Sequence, residues 1–380
     1  MQPPNLKPFA DMHATPSAPP VSRLARIARA RQLSLQEGAA LAGGLVEPWI
    51  AQSWQRCLAQ GQRPQQPVHF EAVTASVMRQ AAESNRILVQ AARPILKQLG
   101  QVLAETRYFA ILTNHEGVVI DTDGPIDRSD RRADLITRVG VDLSEKSVGT
   151  TAIGAALREL QPVWLHRGEH FFNDTAVYSC AGAPLFGPDG RCVGMLDLTG
   201  VEAAERPELR HLAIHTARRI ENALLLQRSH RLLLRLTWPG LPLGDDADGI
   251  VTLDADGRVC ASNRAARQLL PMLNTQGMEL HGRDLFALPW DMLFDAARRG
   301  QTLDVPLWSG LRLQARPELA GRPHAASTRA PGPTLPLRDV ETGLIRKAVE
   351  DARGNVAQAA RNLGISRATV YRKLGTGKRD

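Results

Sequence analysis

The residues whose types and spacing most clearly predict a chemical role lie near the end of the chain, between positions 356 and 374. A helix-turn-helix needs a small residue where its helices cross, a turn residue that tolerates positive φ, and an apolar residue facing inward. Ala360, Gly364 and Val370 have these types at suitable spacing, and Ser366 is a good N-cap for the second helix. That helix would present Arg367, Thr369, Tyr371, Arg372 and Lys373, whose side chains can contact the phosphates and base edges of DNA.

The distribution of charge favours the same interpretation. The formal net charge is +8, and residues 338–380 hold ten Lys or Arg and five Asp or Glu, so +5 of it lies in this segment. Positive charge concentrated in one segment favours a partner that carries phosphates. Aromatic residues make up only 4% of the chain, which argues against a single-strand binder that stacks bases on aromatic rings. The alternative is a small helical hairpin with a solvated basic face.

A second group of residues could form a pocket for a small molecule. The segment beginning at Gly149 opens a predicted helix, whose free N–H groups could receive a polar or anionic ligand atom. Further polar and aromatic residues cluster on a segment that leads into a predicted strand. For each of them alone, packing in the core is the competing interpretation. The predicted pocket residues are Thr150, Thr151, His170, Phe171, Tyr178 and Cys180.

Two patterns resemble catalytic sites but predict no enzyme. His166, Glu169 and His170 fit the string H-x-x-E-H, but Gly168 directly after a strand-like segment argues against the helix that zinc binding would require. Cys180 and Cys192 lie on adjacent predicted strands, as in a methionine sulfoxide reductase, yet a buried cysteine is usually inert. No pair of cysteines has C-x-x-C spacing. The sequence therefore predicts no catalytic residues, no metal and no cofactor.

Hydrophobic periodicity predicts an α+β protein with several units. A first helix carries arginines such as Arg23 and Arg31, which indicate a solvated face or contact with an acidic surface. Pro94 should bend or split a long helix over 70–104. The predicted units are a disordered leader (1–20), N-terminal helices (21–66), a sensor domain (67–206), a connecting helix (207–237) whose leucines could pair with a second copy, a smaller α/β domain (245–314), a Pro-rich linker (315–336) and an all-α helix-turn-helix (337–380).

In the tail, Gly354-Asn355 precedes the first motif helix, and 364–374 read G-I-S-R-A-T-V-Y-R-K-L. Through these residues the tail resembles the Fis-type DNA-binding domain. The resemblance implies binding to double-stranded DNA as a homodimer, with the helix before the motif in the dimer interface. It also adds Asn355 to the predicted DNA-binding residues, alongside Ser366.

The front half contains several separate motifs, which are Ser53-Trp54-x-Arg56, Glu145-x-x-Val148-Gly, His166-x-x-Glu169-His170-Phe171, Ser179-Cys180-x-Gly182 and Gly194-x-Leu196-Asp197. Through these motifs it resembles acetoin-operon-activator-type regulators, which are sigma-54-dependent and belong to the Fis family. The resemblance implies a GAF domain with a small-molecule pocket. Through Gly249–Gly257 and Ala261-Ser-Asn263, the second unit resembles a PAS domain.

The resembling regulators usually carry a central ATPase domain, which needs G-x-x-x-x-G-K-[ST] to cradle phosphates. The sequence has no such string. We therefore expect a DNA-binding regulator without ATPase activity that responds to an unidentified effector and acts with RNA polymerase or with a full-length ATPase-bearing relative. A low-specificity nucleoid protein is the alternative. No signal peptide or run of 18 apolar residues is found, so the expected location is cytoplasmic, without a membrane partner.

Overall fold

The computed structural model describes residues 22–36, 44–70, 73–275, 279–320, 337–352 and 354–375. The predicted leader and residues 321–336 of the predicted linker lie outside the described residues. Two antiparallel five-stranded sheets and a separate group of C-terminal helices confirm the predicted α+β class. Within the described ranges, no helix is both long and apolar enough to cross a membrane.

The first sheet has the strand order β2-β1-β5-β4-β3. Its strands alternate between two apolar faces, because successive side chains of a strand point to opposite sides. Phe109 and Ile111 belong to one buried cluster, whereas Ala110 and Leu112 belong to another. The strands are β1 (Tyr108–Asn114), β2 (Val119–Asp123), β3 (Val163–His166), β4 (Tyr178–Phe186) and β5 (Cys192–Val201).

One face of this sheet is covered by α4 (Arg86–Val102) and α8 (Leu209–Leu226). The predicted helix over 70–104 is in fact two helices, α3 (Ala75–Ser84) and α4, and they are separated at Asn85. Pro94 lies inside α4 without ending it. Of the two predicted effects of Pro94, a bend or a split, the split was therefore wrong.

The other face packs against α5 (Arg131–Ile136), α6 (Glu145–Val148) and α7 (Ala152–Glu159). The N-terminal segment adds α1 (Arg23–Arg31), a short π-helix (Gln32–Gln36) and α2 (Pro48–Ala59). These helices form an apolar cluster with the loop after β3, in which Ile50 and Trp54 contact Phe171 and Phe172. The N-terminal helices are thus packed onto the sensor domain.

The second sheet has the order β8-β7-β6-β10-β9. Its central strand, β6, precedes the other four in sequence and pairs with β7 on one side and β10 on the other. Helices α9 (Arg264–Leu269), α10 (Gly282–Leu285) and α11 (Asp291–Arg299) accompany the sheet. The strands are β6 (Leu232–Thr237), β7 (Gly249–Leu253), β8 (Val259–Ser262), β9 (Leu303–Pro306) and β10 (Arg312–Leu319).

Three sequence-based boundaries were wrong at this point. The predicted connecting helix over 207–237 ends at Leu226, and its last part is strand β6. The second unit therefore extends beyond 245–314 on both sides, and the first residues of the predicted linker complete β10. Leucines of α8 that were predicted to pair with a second copy are instead buried against the first sheet, including Leu209, Leu212 and Leu224.

The two sheets meet where the turn between β4 and β5 contacts the second unit. Arg267 of α9 is buried, and its Nη2 donates hydrogen bonds to the carbonyl oxygens of Gly187 (3.2 Å), Pro188 (2.9 Å) and Ser262. Because the guanidinium bonds to carbonyl groups from both units, it ties the tip of the sensor hairpin to the second sheet.

The C-terminal helices are α12 (Leu337–Asp351), α13 (Val356–Leu363) and α14 (Arg367–Gly375). Ile345, Ala360, Leu363 and Val370 are the buried residues of their shared core. Gly364 adopts a φ of 67° at the turn between α13 and α14, a conformation that favours glycine. The chain therefore folds locally as the turn and core residues predict.

Candidate functional sites

A small cavity of about 30 Å³ lies on the face of the first sheet that packs against α5–α7. Thr151, His170, Tyr178 and Cys180 line it, which are four of the six predicted pocket residues. Thr150 bonds instead to the hydroxyl of Ser53 on α2, at 2.7 Å. The remaining lining residues are Phe70, Ile111, Ile136, Leu143, Val148, Ile153, Thr175, Asp197 and Thr199.

Phe171 lies away from the cavity, contrary to its predicted role. Its ring is buried in the cluster formed with the N-terminal helices, against Phe172 at a ring distance of 5.0 Å. The neighbouring His170 faces the cavity because the chain is extended at this point, with φ −67° and ψ 150°. Adjacent side chains on an extended backbone point in opposite directions.

His170 offers an unpartnered hydrogen-bond acceptor to the cavity. Its Nδ1 lies 2.9 Å from the carbonyl oxygen of Arg167, and since a carbonyl can only accept, Nδ1 carries the proton. Complete burial lowers the pKa of His170 to about 4, so the ring is neutral at pH 7 and Nε2 has a free lone pair. No residue that the structure describes bonds to Nε2.

Asp197 of β5 supplies a second polar group that lacks a complete set of partners. One carboxylate oxygen, Oδ2, accepts a short hydrogen bond from the Thr199 hydroxyl, whereas Oδ1 has no partner among the described residues. Burial raises the pKa of Asp197 to about 7. Asp197 occurs in one of the resembling motifs but was not predicted as a site residue. The sequence did contain a signal for Asp197, because a carboxylate in a mostly apolar strand indicates a buried polar group that needs a partner.

Asp197→Asn is expected to change how stability depends on pH. Because the pKa of Asp197 is higher in the folded chain than in the unfolded chain, the folded chain holds this proton more tightly. The resulting stabilisation is complete below the pKa of the unfolded carboxyl and is lost as the pH rises to about 7. The amide cannot ionise, so the variant should be more stable than the wild type at pH 8 by about 1–3 kcal/mol and should lose this advantage near pH 4. Urea denaturation at both pH values measures the difference, with exposed Asp304→Asn as the matched control. An advantage that does not change with pH would contradict this account.

Arginines of α1 hold the loop that carries His170. Arg31 donates to the carbonyl oxygens of Gly168 (2.9 Å) and His170 (2.5 Å), and its other amino group reaches the carbonyl of Phe171 (3.0 Å). Arg23 forms a bidentate ion pair with buried Glu169, at 2.9 and 2.8 Å. The α1 arginines therefore fix an internal loop, a role that neither sequence-based interpretation of this helix included.

The residues of the Ser53-Trp54-x-Arg56 motif bond α2 to the rest of the first unit. Arg56 makes two hydrogen bonds to the Glu145 carboxylate, at 2.7 and 2.8 Å, and the Ser53 hydroxyl donates to the same carboxylate at 2.6 Å. The Trp54 indole N–H donates to the carbonyl of Glu169 at 2.9 Å. Helix α2 is thus bonded both to α6 and to the loop that carries His170.

The geometry does not favour the two enzyme-like patterns. His166 lies on β3 and bonds to the Ser179 hydroxyl at 2.8 Å, and His170 is extended after a single 3-10 turn, so the two histidines do not share a face of an α-helix. In the β4–β5 hairpin, Cys180 is opposite Thr199, whereas Cys192 is opposite Phe186. The two cysteines are therefore separated by about 20 Å along the strands, at about 3.4 Å per residue, too far for a disulfide.

The predicted DNA-binding residues surround the start and outer side of α14. Ser366 caps this helix through its hydroxyl, which accepts from the Thr369 N–H at 3.1 Å. Arg367 is exposed and Tyr371 is 62% exposed, while Val370 points into the core. Arg372 is exposed and Lys373 half-buried on the last turn. Asn355 lies at the start of α13, where its side chain accepts from the Gln358 N–H at 3.0 Å.

Comparison with known proteins assigns the chain to a family. The family model described as MimR, N-terminal domain, matches residues 24–222, just over half of the chain. The chain belongs to this MimR N-terminal domain family. The matched range covers the N-terminal helices, the whole first sheet and nearly all of α8. A second model, described as bacterial regulatory protein, Fis family, matches residues 336–375, which confirms the Fis-type resemblance of the tail.

Relatives of this MimR-family chain are named as transcriptional regulators rather than enzymes. The acetoin catabolism regulatory protein of Cupriavidus necator is 30% identical over 231 residues, 58% of this chain and 34% of that protein. The propane 2-monooxygenase operon transcriptional activator MimR of Mycolicibacterium goodii is 31% identical over 198 residues, 52% of this chain and 33% of that protein. These names confirm the predicted resemblance to acetoin-operon-type regulators.

A signal-transduction and transcriptional-control protein of Clostridium beijerinckii is 25% identical over 256 residues, 67% of this chain and 40% of that protein. The MimR-family chain thus spans between a third and two fifths of the length of these curated relatives. Among solved structures, a chain of the E. coli DhaR(N)–DhaL complex matches with a TM-score of 0.44 and 17% identity, covering 72% of this chain and 99% of that chain. A similarity at this level adds nothing to the family assignment.

Proposed function

We propose that the chain is a transcriptional regulator that binds specific DNA sequences through α14 and senses a small molecule in the cavity of its first sheet. The observation that supports DNA binding most directly is the arrangement of α14. Ser366 caps this helix and Val370 packs in its core, whereas Arg367 and Tyr371 are exposed on its outer side. Arg367 and Tyr371 are therefore free to enter the major groove of DNA.

The chemistry of the cavity favours a neutral effector. Among the residues that the structure describes, no lysine or arginine lines the cavity, so a carboxylate or phosphate would be buried there without a counter-charge and next to Asp197. His170 presents an acceptor, which requires a donor such as a hydroxyl group from the effector. Acetoin, after which one relative is named, is a small neutral molecule with a hydroxyl and a ketone. We propose effectors of that size and polarity.

The size of the cavity implies a mechanism of sensing. A volume of about 30 Å³ accommodates about two or three water molecules, because a single water needs roughly 10–15 Å³ by this measure. An effector of several heavy atoms therefore has to displace the lining of β4, β5 and the His170 loop. These elements lead to α1 through Arg31 and to the second sheet through Arg267. Binding of the effector thus shifts the contacts that connect the units of the chain.

We also propose that the chain acts as a homodimer and without ATPase activity. Two copies of α14 would read two half-sites of an inverted repeat, as helix-turn-helix dimers do. No G-x-x-x-x-G-K-[ST] string occurs between the two matched regions or elsewhere in the sequence, so hydrolysis of ATP is not part of the proposal. Contact with RNA polymerase, or with an ATPase-bearing relative on a shared site, would transmit the signal.

Genome-wide immunoprecipitation of the tagged chain, with sequencing of the bound DNA, tests the proposed DNA binding. A few sharp peaks over an inverted repeat are expected for a specific regulator. Diffuse enrichment that is lost at moderate salt would instead indicate the nucleoid-protein alternative, because phosphate contacts alone are strongly salt-dependent. No enrichment would contradict both interpretations.

The effector proposal predicts selective binding by neutral hydroxy compounds. Compounds of three to five carbons with a hydroxyl group should raise the Tm of the chain, whereas carboxylates of the same skeleton should not. His170→Phe removes the acceptor and should reduce affinity for the hydroxy compounds by about tenfold or more, corresponding to the loss of one buried hydrogen bond. Isothermal titration of both proteins with the best compound measures this. Preference for the carboxylates, or unchanged affinity of the variant, would contradict the proposal.

A further inference from the structure

A larger cleft of about 240 Å³ lies where the two sheets meet, apart from the effector cavity. It is bounded by α8 and β4 of the first unit and by the loop before β7 and the start of α9 of the second. Its apolar wall includes Pro184, Ile214 and Ala217. Its charged groups include Glu221 and Arg218 from α8 and Arg264 from α9.

Glu221 is a buried carboxylate without a cationic partner. The residue is only 7% exposed, and its Oε1 accepts a hydrogen bond from the Phe186 N–H at 2.8 Å. In the part of the chain that the structure describes, no hydrogen bond to Oε2 and no ion pair of Glu221 is found. Burial raises its pKa to about 7. A carboxylate in this position is stabilised when a cation or donor binds next to it.

The arginines around the cleft differ in what they already bind. Arg267 is occupied by the carbonyl groups of the β4–β5 turn. Arg264 lies over the ring of Phe186, 5.1 Å from its centre, and Arg218 is exposed. Among the described residues, neither Arg264 nor Arg218 has a carboxylate within ion-pair distance. The other carboxylate at the cleft, Asp246, is paired with Arg219, whose Nε lies 3.7 Å from Asp246 Oδ2. Two arginines are therefore available at the edge of a cleft that has a carboxylate inside.

We propose that this cleft is a second small-molecule site and that it binds a zwitterion of amino acid size. The ammonium group would bond to Glu221, and the carboxylate would lie between Arg218 and Arg264. A simple amine would satisfy Glu221 but would be placed between two guanidinium groups. A simple carboxylate would satisfy the arginines but would lie close to an unpaired Glu221. Only a ligand with both charges is complementary to the whole cleft.

The position of the site gives the ligand a structural effect. Glu221 is adjacent in sequence to Asn222, whose side chain accepts from Asn263 across the junction at 2.9 Å. A zwitterion that bridges α8 and α9 would add ion pairs from both units to this junction. Binding should therefore stabilise the contact between the sheets, independently of whether the first cavity senses an effector.

Isothermal titration of the full chain at pH 8 with each of the twenty common L-amino acids tests the proposal. At least one amino acid should bind, and the corresponding amine and carboxylic acid, each lacking one charge, should bind at least tenfold more weakly. Glu221→Gln keeps an oxygen that can accept from the Phe186 N–H and removes a buried charge, so the Tm of the variant at pH 8 should be no lower than that of the wild type, while its affinity falls at least tenfold. Glu279→Gln, an exposed position outside the cleft, should leave the affinity unchanged.

Three results would overturn the proposal. The first is that none of the twenty amino acids binds to the full chain. The second is that Glu221→Gln and Glu279→Gln bind the amino acid equally well. The third is that the amine alone binds as tightly as the amino acid, since Arg218 and Arg264 would then take no part.

Discussion

Trp54→Ala is expected to lower the free energy of unfolding of the N-terminal unit by about 3–5 kcal/mol, the usual range for removing a fully buried aromatic side chain. Trp54 has no exposed surface and packs against Ile50 and Phe171. The substitution also leaves the carbonyl of Glu169 without its indole donor. Because the same loop carries His170, loss of stability should be accompanied by loss of effector binding.

Urea denaturation monitored by far-UV circular dichroism measures this effect. Trp308→Ala is the matched control, since this residue is 69% exposed and, within the described ranges, its indole makes a single hydrogen bond, to the carbonyl of Arg283. We expect the control to cost about 1 kcal/mol or less. Equal destabilisation by the two substitutions would show that α2 is not an integral part of the sensor domain.

Arg367→Ala is expected to abolish most of the sequence preference of DNA binding. An exposed arginine at the start of a recognition helix can contact guanine through two hydrogen bonds, which contributes about 1–3 kcal/mol of discrimination. The affinity for the immunoprecipitated site should therefore fall by about 5- to 150-fold. The affinity for a scrambled duplex should fall much less.

Fluorescence anisotropy with both duplexes at one fixed salt concentration measures these affinities. Arg361→Ala removes an equal charge from α13, where the side chain bonds to Gln358, and should weaken binding to both duplexes to the same extent. If Arg367→Ala also weakens both duplexes equally, Arg367 contacts phosphate and does not read bases.

The sequence predicted well those elements whose signals are local. The β4–β5 hairpin follows from two apolar runs around Gly187-Pro-Asp-Gly190, and α14 follows from its cap and turn residues. Strand β6 was missed because 225–236 is rich in leucine and arginine and contains no glycine or proline, so its pattern suits a continuing helix equally well. Only pairing with distant β7 and β10 determines that it is a strand.

The difference between local and long-range signals also explains which of the cavity residues were predicted correctly. Thr151, His170, Tyr178 and Cys180 were found because they lie close to elements that the sequence defines. Phe171 and Thr150 were misplaced because their direction depends on the docking of α2, which comes from almost a hundred residues earlier in the chain. Long-range docking of this kind leaves no periodic signal in a single sequence.

The position of β6 in the sequence determines where the protein can be divided into fragments for experiments. This strand joins the two halves of the second sheet, yet it directly follows the last helix of the sensor domain. A recombinant fragment that begins at Asp245 would leave β7–β8 and β9–β10 as two unconnected hairpins with open edges, prone to aggregate. A fragment that ends at Thr237 would carry an unpaired leucine-rich strand. A cut near Arg228, before β6, is the position that keeps both sheets whole.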